Sequence, residues 1–339
     1  MINLVRHLQV ISSRTDTIKF VADHTTVSTG PHIKSVWVPP ASPELINDML
    51  TAWAAAAHVS PTRIPGYWID KRGTSTPNGA APQPGEKIVL HLHGGAYIRL
   101  SASPDDLVAA IGRGLLKHCA PVRRVFALEY RLSKAAPDPP ANAFPAALLD
   151  ALAGYAYLVR TVGFAPKDII VAGDSAGGNL AHALVRYLVE HPELGLPAPG
   201  FVLLLSPWMD LSNSHHDPPN VALDYLAGRA GCTLAYARGA FFGSGGEDIQ
   251  FSRYLSPGSV DPRAEAASFV GWPKTMVVGG DAEVLIESIR LVVARMKKDM
   301  GERVTYYEAV DAVHDYLVLD FAEPEKTDTL KAIAEWVGK

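Results

Sequence analysis

Asp168-Ile169-Ile170-Val171-Ala172-Gly173-Asp174-Ser175-Ala176-Gly177-Gly178-Asn179 is the stretch that decides the fold of this chain. Ile169 to Ala172 is an unbroken apolar run, the pattern of a buried parallel strand. It ends in Gly173-Asp174-Ser175-Ala176-Gly177, a G-x-S-x-G. Beyond it Leu180, Ala181, Leu184, Val185 and Leu188 recur at helical spacing. The order of strand, tight glycine-flanked turn and helix predicts a nucleophile elbow, with Ser175 at the strand's carboxyl end. Gly173 and Gly177 have no Cβ, so strand and helix can approach the turn closely. The helix N-terminus brings backbone N–H groups and the positive dipole end beside the serine. A glycine-rich turn with an incidental serine is the plainer alternative, and the neighbouring segments decide between the two.

Outward from this stretch, strands alternate with helices. Residues 64–71, 87–93, 124–130, 200–206, 274–278 and 304–310 read as strands. Leu148, Ala151, Leu152, Tyr155 and Val159 mark a helix closing at Gly163. Leu285, Ile289, Val292, Val293 and Met296 mark another ending near Gly301, and Pro324 opens the last one, with Leu330, Ile333 and Trp336 inward. The alternation predicts an α/β fold with a mostly parallel central sheet flanked by helices. Sites in such sheets form at the carboxyl ends of the strands. Ser175, the His93-Gly94-Gly95 loop, Asp281, Glu283 and His314 all fall there, and convergence from separated strands argues against coincidence.

Two regions stand outside the alternation. Residues 1–60 look helical and separate from the sheet, with a short helix within 2–12 and a second one started by Ser42-Pro43. In the second, Leu45, Ile46, Met49, Leu50 and Trp53 form an apolar stripe. Residues 212–252 mix polar loop with Tyr225, Leu226, Phe241 and Phe242 and read as an insertion. His215-His216-Asp217 inside it reads as solvated loop and not as a metal site, because adjacent histidines do not face one point. His182, on the elbow helix, reads as packing.

Composition narrows the classes. The 339 residues are 48% hydrophobic and 19% charged, which suits a soluble globular protein with a sizeable core. A net charge of -4 argues against nucleic acid as a partner. Two cysteines, Cys119 and Cys232, make no disulfide framework. The first ten residues lack a basic segment followed by an apolar one, and no run approaches the ~20 apolar residues of a membrane span. The expected compartment is cytoplasmic.

Serine is a weak nucleophile until a base takes its proton, and the base needs an acceptor on its other nitrogen. The chain order serine, acid, histidine is met by Ser175, Asp281 or Glu283, and His314. A strand running into His93-Gly94-Gly95 supplies unshielded backbone N–H groups able to stabilise an oxyanion.

With these pieces in place the sequence resembles the hormone-sensitive-lipase-like esterases of the α/β-hydrolase superfamily. The matching pieces are His93-Gly94-Gly95-Ala96, Tyr130-Arg131-Leu132, Phe144-Pro145-Ala146-Ala147-Leu148, Gly173-Asp174-Ser175-Ala176-Gly177-Gly178-Asn179 and Ser206-Pro207-Trp208, within residues 85–320. The resemblance implies a carboxylic-ester hydrolase using Ser175, an acid and His314. Gly94, Gly95 and Ala176 would be its oxyanion donors. It implies no metal or organic cofactor, a small-molecule ester of short to medium chain as substrate, and an acyl-enzyme intermediate. It also implies a helical cap built from residues 1–60 and 208–252 on a core of 61–207 and 253–339. The last strand, about 303–310, is a candidate homodimer edge. An amidase, peptidase or acyltransferase is the alternative on the same residues. A non-catalytic small-molecule receptor is another, but known receptors of this kind lack the histidine, so His314 favours an enzyme.

The sequence departs from the family in three places. Ala96 replaces a third glycine, keeping its N–H at the cost of strain if φ is positive. Asp315 follows His314 where the family often has glycine. The usual Asp-Pro-Leu acid motif is absent. Matching Thr275-Met276-Val277-Val278 to the family strand puts Glu283-Val284-Leu285 in that place. The acid expected from the resemblance is therefore Glu283, with Asp281 as the rival.

Overall fold

The computed structural model of the protein describes residues 24–226, 229–243 and 247–339. Eight strands form one sheet: β1 (Lys34–Val38), β2 (Ile64–Asp70), β3 (Lys87–Leu92), β4 (Val122–Leu128), β5 (Ile169–Asp174), β6 (Phe201–Leu205), β7 (Lys274–Gly280) and β8 (Val304–Ala309). Their spatial order is β1-β2-β4-β3-β5-β6-β7-β8. β1 and β2 run antiparallel, and every pairing from β4 to β8 is parallel.

Among the described residues the helices are α1 (Asp48–Ala56), α2 (Ala109–His118), α3 (Ala146–Ala156), α4 (Ala176–Glu190), α5 (Arg229–Phe242), α6 (Ile286–Met300) and α7 (Glu325–Gly338). No helix of the described residues is long and apolar enough to cross a membrane.

The apolar run of β5 explains the two-sided architecture. Successive side chains of a strand point to opposite faces. Ile169 and Val171 join Leu152, Leu180 and Ile289 on one face. Ile170 and Ala172 join Ile111, Leu115, Ile333 and Trp336 on the other. β3 divides likewise, with Ile88, Leu90 and Leu92 on the first face and Val89 on the second. A strand buried on both sides has no polar alternation to show, and this is why it reads as continuous apolar sequence.

Two expectations are corrected at the N-terminal end. Residues 1–60 do not stand apart from the sheet. Lys34–Val38 is its edge strand, paired with β2 from Lys34 opposite Trp68 to Val38 opposite Ile64. Ser42-Pro43 opens only a short 3₁₀ helix, Pro43–Leu45, with Ser42 at its N-cap position; the Ser42 hydroxyl caps no N–H and donates to Glu44 Oε1 at 2.6 Å. The cap of α1 is Asn47, whose Oδ1 accepts from Leu50 N–H at 2.9 Å. The helix expected within residues 2–12 lies outside the described residues.

The Tyr130-Arg131-Leu132 stretch beyond β4 is fixed by a buried ion pair. Arg131 Nε and Nη2 donate to the Asp150 carboxylate on α3, at 2.9 to 3.1 Å. Its remaining N–H groups reach Ser60 O and Ala146 O. Asp150→Ala leaves this guanidinium buried and half-partnered. The expected loss is about 3–5 kcal/mol, read as a lower urea midpoint at unchanged m-value. An unmoved midpoint would show that the pair is not structural.

Candidate active site

Ser175 sits between the end of β5 and the start of α4 with φ 53° and ψ -117°. A non-glycine residue in that region is strained and persists only where the surroundings hold it. They do so through its backbone: Ser175 N–H donates to Leu205 O, and Ser175 O accepts from Trp208 N–H, both at 2.9 Å. A Cβ on Gly173 would lie 2.1 Å from Gly177 O, so the tight turn excludes any side chain there.

His314, in the loop after β8, reaches Ser175. Its Nε2 lies 2.9 Å from Ser175 Oγ, and its Nδ1 lies 3.0 Å from Glu283 Oε2. The other oxygen of Glu283 accepts from Ser206 Oγ–H and from Gly280 N–H, each at 2.6 Å. Three donors therefore hold the carboxylate as an acceptor aimed at the imidazole. Exposure falls along the row from 8% at Ser175 to 1% at His314 and none at Glu283, so only the hydroxyl end is open to a ligand. Asp281 is not part of the row. Its Oδ1 accepts from Asp311 N–H at 2.7 Å and braces the β7–α6 loop against the end of β8.

A further carboxylate meets the same imidazole. Asp315 Oδ2 lies 3.2 Å from His314 Nε2. Burial disfavours the charged imidazolium, but Asp315 and then Glu283 outweigh it and push the His314 pKa up to about 10.

The loop after β3 corrects one sequence expectation. Gly94, expected among the oxyanion donors, gives its N–H to Asp174 Oδ2 at 2.9 Å. Asp174 Oδ1 pairs with His91 Nε2 at 3.0 Å. Asp174 of the elbow thus ties down the oxyanion loop, and the N–H it takes is unavailable to a ligand. The N–H groups of Gly95 and Ala96 meet no partner among the described residues. Ala176 is the first residue of α4, where an N–H has no intrahelical acceptor. The loop curls through φ 109° at Gly95, 55° at Ala96 and 63° at Tyr97. Ala96 thus accepts the strain expected of it. His93 holds the loop from behind, stacked on Tyr130 at 4.3 Å with Nδ1–H donating to Gly94 O.

Some supporting residues were not anticipated. Asn179 accepts from Tyr97 O–H at 2.8 Å and donates to Trp208 O and Leu255 O. Asn220 donates to the carbonyls of Asp281 and Glu283, and Asp224 accepts from Val284 N–H at 2.9 Å. The Tyr225 ring lies 6.1 Å from that of His314. The insertion therefore packs onto the loop that carries the acid. Nothing in the sequence of 220–225 marks this, because its partners are backbone groups some sixty residues away.

His182 and His215 take structural places. His182 is buried against Trp272 with Nδ1 on Tyr254 O, and its pKa is held well below the usual value by burial and then by Arg186. His215 Nε2 pairs with Gly258 O at 2.9 Å. Among the described residues no group of three or more His, Cys, Asp or Glu side chains is placed to hold a metal ion.

A family model described as "alpha/beta hydrolase fold" matches residues 89–318. The chain is 27% identical to the Esterase LipU of Mycobacterium tuberculosis over 84% of its own length and 92% of that protein. It is 31% identical to an acetyl-hydrolase of Streptomyces hygroscopicus over 67% of each chain. A crystal structure of an esterase from the bacterial hormone-sensitive lipase family superposes with a TM-score of 0.66 at 22% identity, covering 99% of this chain and 97% of that one. The chain belongs to the α/β-hydrolase fold family.

Proposed function

We propose that the protein is a serine carboxylesterase that cleaves short- to medium-chain carboxylic esters through an acyl-enzyme. The observation that carries this reading is the row from Ser175 through His314 to Glu283, at 2.9 and 3.0 Å. The names of the relatives, esterase and acetyl-hydrolase, support the same reaction class. In this mechanism His314 Nε2 takes the Ser175 proton as Oγ attacks the ester carbonyl. The tetrahedral oxyanion is held by the N–H groups of Gly95, Ala96 and Ala176. Glu283 stabilises the imidazolium, which passes its proton to the leaving alkoxide. Water, deprotonated by His314, then attacks the acyl-serine, and Ser175 recovers its proton.

A cavity of about 270 Å³ in the insertion is lined by Trp208, Asp210, His215, Leu226, Arg238 and Val284 among others. Trp208 is hydrogen-bonded to Ser175, and Val284 follows the acid. Ser175, His314, Gly95 and Ala96 are not among its lining residues, so the short- to medium-chain assignment rests on the family resemblance. A panel of p-nitrophenyl acetate, butyrate, octanoate and palmitate tests this. The specificity constant kcat/KM is expected to peak at or before octanoate and to fall at least about tenfold for palmitate. A profile still rising at palmitate would overturn the chain-length assignment.

The cap, in this reading, comprises α1, α5 and the loops around them. Phe241 on α5 stacks on Tyr97 at 3.8 Å, and Trp53 on α1 meets Phe144 and Tyr254 at 5.2 and 5.3 Å. These contacts support an aromatic wall over the oxyanion loop. A homodimer through the β8 edge belongs to the same proposal. β8 ends the sheet, with β7 as its only paired neighbour among the described strands, and sedimentation velocity would test it.

A further inference from the structure

The Asp315 carboxylate is not used by the mechanism above, yet it lies on the nitrogen where the chemistry happens. Its Oδ2 is 3.2 Å from His314 Nε2, while Ser175 Oγ is 2.9 Å from the same atom. Asp315 adopts φ 50° and ψ 34°, a left-handed conformation that costs a side chain more than it costs glycine. It is 8% exposed, and its own N–H lies 3.3 Å from Ser206 Oγ, the hydroxyl that also binds Glu283. The fold therefore places a second buried carboxylate at the imidazole, opposite in role to the first: Glu283 holds Nδ1–H, and Asp315 competes with Ser175 for Nε2.

The other groups facing His314 do not offset this. From the β7–α6 loop comes Glu283. From the insertion come Asp224, whose carboxylate accepts from Leu226 and Val284 N–H groups, and the Tyr225 ring. From the elbow comes the neutral Ser175 hydroxyl. The imidazole thus contacts two carboxylates, Glu283 at Nδ1 and Asp315 at Nε2.

We propose that Asp315 is a positioning residue whose carboxylate, set against His314 Nε2 beside the Ser175 hydroxyl, holds the proton on that nitrogen in the free protein, so that the form able to accept the Ser175 proton grows as pH rises. This rests on the esterase reading for its kinetic consequence but not for the ion pair itself. The proton inventory fixes the sign. Imidazolium cannot accept the Ser175 proton, so the active fraction rises with pH through the His314 pKa. Once Ser175 has attacked, the imidazolium forms again, now as an intermediate that Asp315 stabilises together with Glu283, before the proton goes to the leaving alkoxide. Asp315 therefore slows the reaction at neutral pH and assists it at alkaline pH.

The test is Asp315→Asn, which keeps a side chain tolerant of left-handed φ and removes the charge. The pH profile of kcat/KM for a short p-nitrophenyl ester is expected to move its rising limb down by at least about one pH unit, a tenfold gain on that limb. At alkaline pH kcat is expected to fall below the parent's, so the two profiles cross. A merely structural Asp315 would lower the profile at every pH without moving its limb, and that result overturns the proposal. The ¹⁵N NMR titration of His314, assigned by its loss in His314→Asn, reads the pair without any ester. A titration midpoint lower in Asp315→Asn than in the parent supports the proposal, even if no ester is hydrolysed, which would overturn the esterase reading alone. An unmoved midpoint overturns the pair.

Discussion

Ser175→Ala is expected to keep the fold and to reduce hydrolysis of p-nitrophenyl butyrate by roughly four to six orders of magnitude. The size follows from the site. Without Oγ, His314 has no hydroxyl to deprotonate, and only the backbone donors and the binding surface still act on the ester. The fold should survive because Ser175 is held through its backbone, to Leu205 O and Trp208 N–H, and alanine keeps both bonds. Alanine already occupies φ 55° at Ala96, so positive φ is no bar to it here. The measurements are kcat/KM and a thermal melt. A melt within a few degrees of the parent with unchanged turnover would remove Ser175 from the reaction.

Glu283→Gln is expected to lower kcat by about four orders of magnitude, whereas Asp281→Asn should stay within a few-fold of the parent. The donors on the acid explain the asymmetry. Ser206 O–H and Gly280 N–H both need an acceptor, so glutamine would turn its carbonyl oxygen toward them. Its NH₂ then faces His314 Nδ1 and forces that nitrogen to accept. The proton moves to Nε2, the nitrogen that must be empty to receive the Ser175 proton. Asp281→Asn keeps an oxygen for Asp311 N–H and touches nothing at the imidazole. The two variants, assayed with one short ester, separate the residues. Collapse in Asp281→Asn with a near-silent Glu283→Gln would reverse the assignment.

How much of this could be read from the sequence depends on where each signal resides. The β5–α4 unit was legible because its strand, turn and helix are contiguous and each carries its own pattern. Glu283 was legible only through a strand match, since spacing alone left Asp281 equal to it. β1 was missed because four of its five residues, Lys34 to Trp37, are only half-buried, and its pairing with β2 is long-range. α2 was missed for a different reason. Its Gly112 and Gly114 lower helix propensity, but Gly112 packs on Val125 and a Cβ on Gly114 would press on Leu330 at 2.8 Å. Packing thus bears on glycine only at Gly114, since a Cβ on Gly112 would make ordinary contact with Val125 at 3.4 Å. In the proposed oxyanion site Ala96 takes the place expected of Gly94, because the partner of Gly94 N–H is Asp174, eighty residues later. A motif marks a backbone donor but not whether another group has already taken its proton.

The Asn179 side chain has a consequence for how this protein can vary. One amide, on the first turn of the elbow helix, donates to Trp208 O and to Leu255 O. The chain between those two residues leaves the core, touches it again through Asn220, Asp224 and Phe241, and is held at both ends by the one amide. Closing a longer or shorter excursion between fixed ends costs little, about 0.6 kcal/mol for each doubling of length. Around the nucleophile the excursion is fixed at its two ends by these carbonyls, while its 220–225 stretch braces the loop that carries Glu283. Substrate preference can therefore vary with those parts of the excursion that leave the acid loop untouched, whereas the 220–225 stretch is tied to the reacting groups.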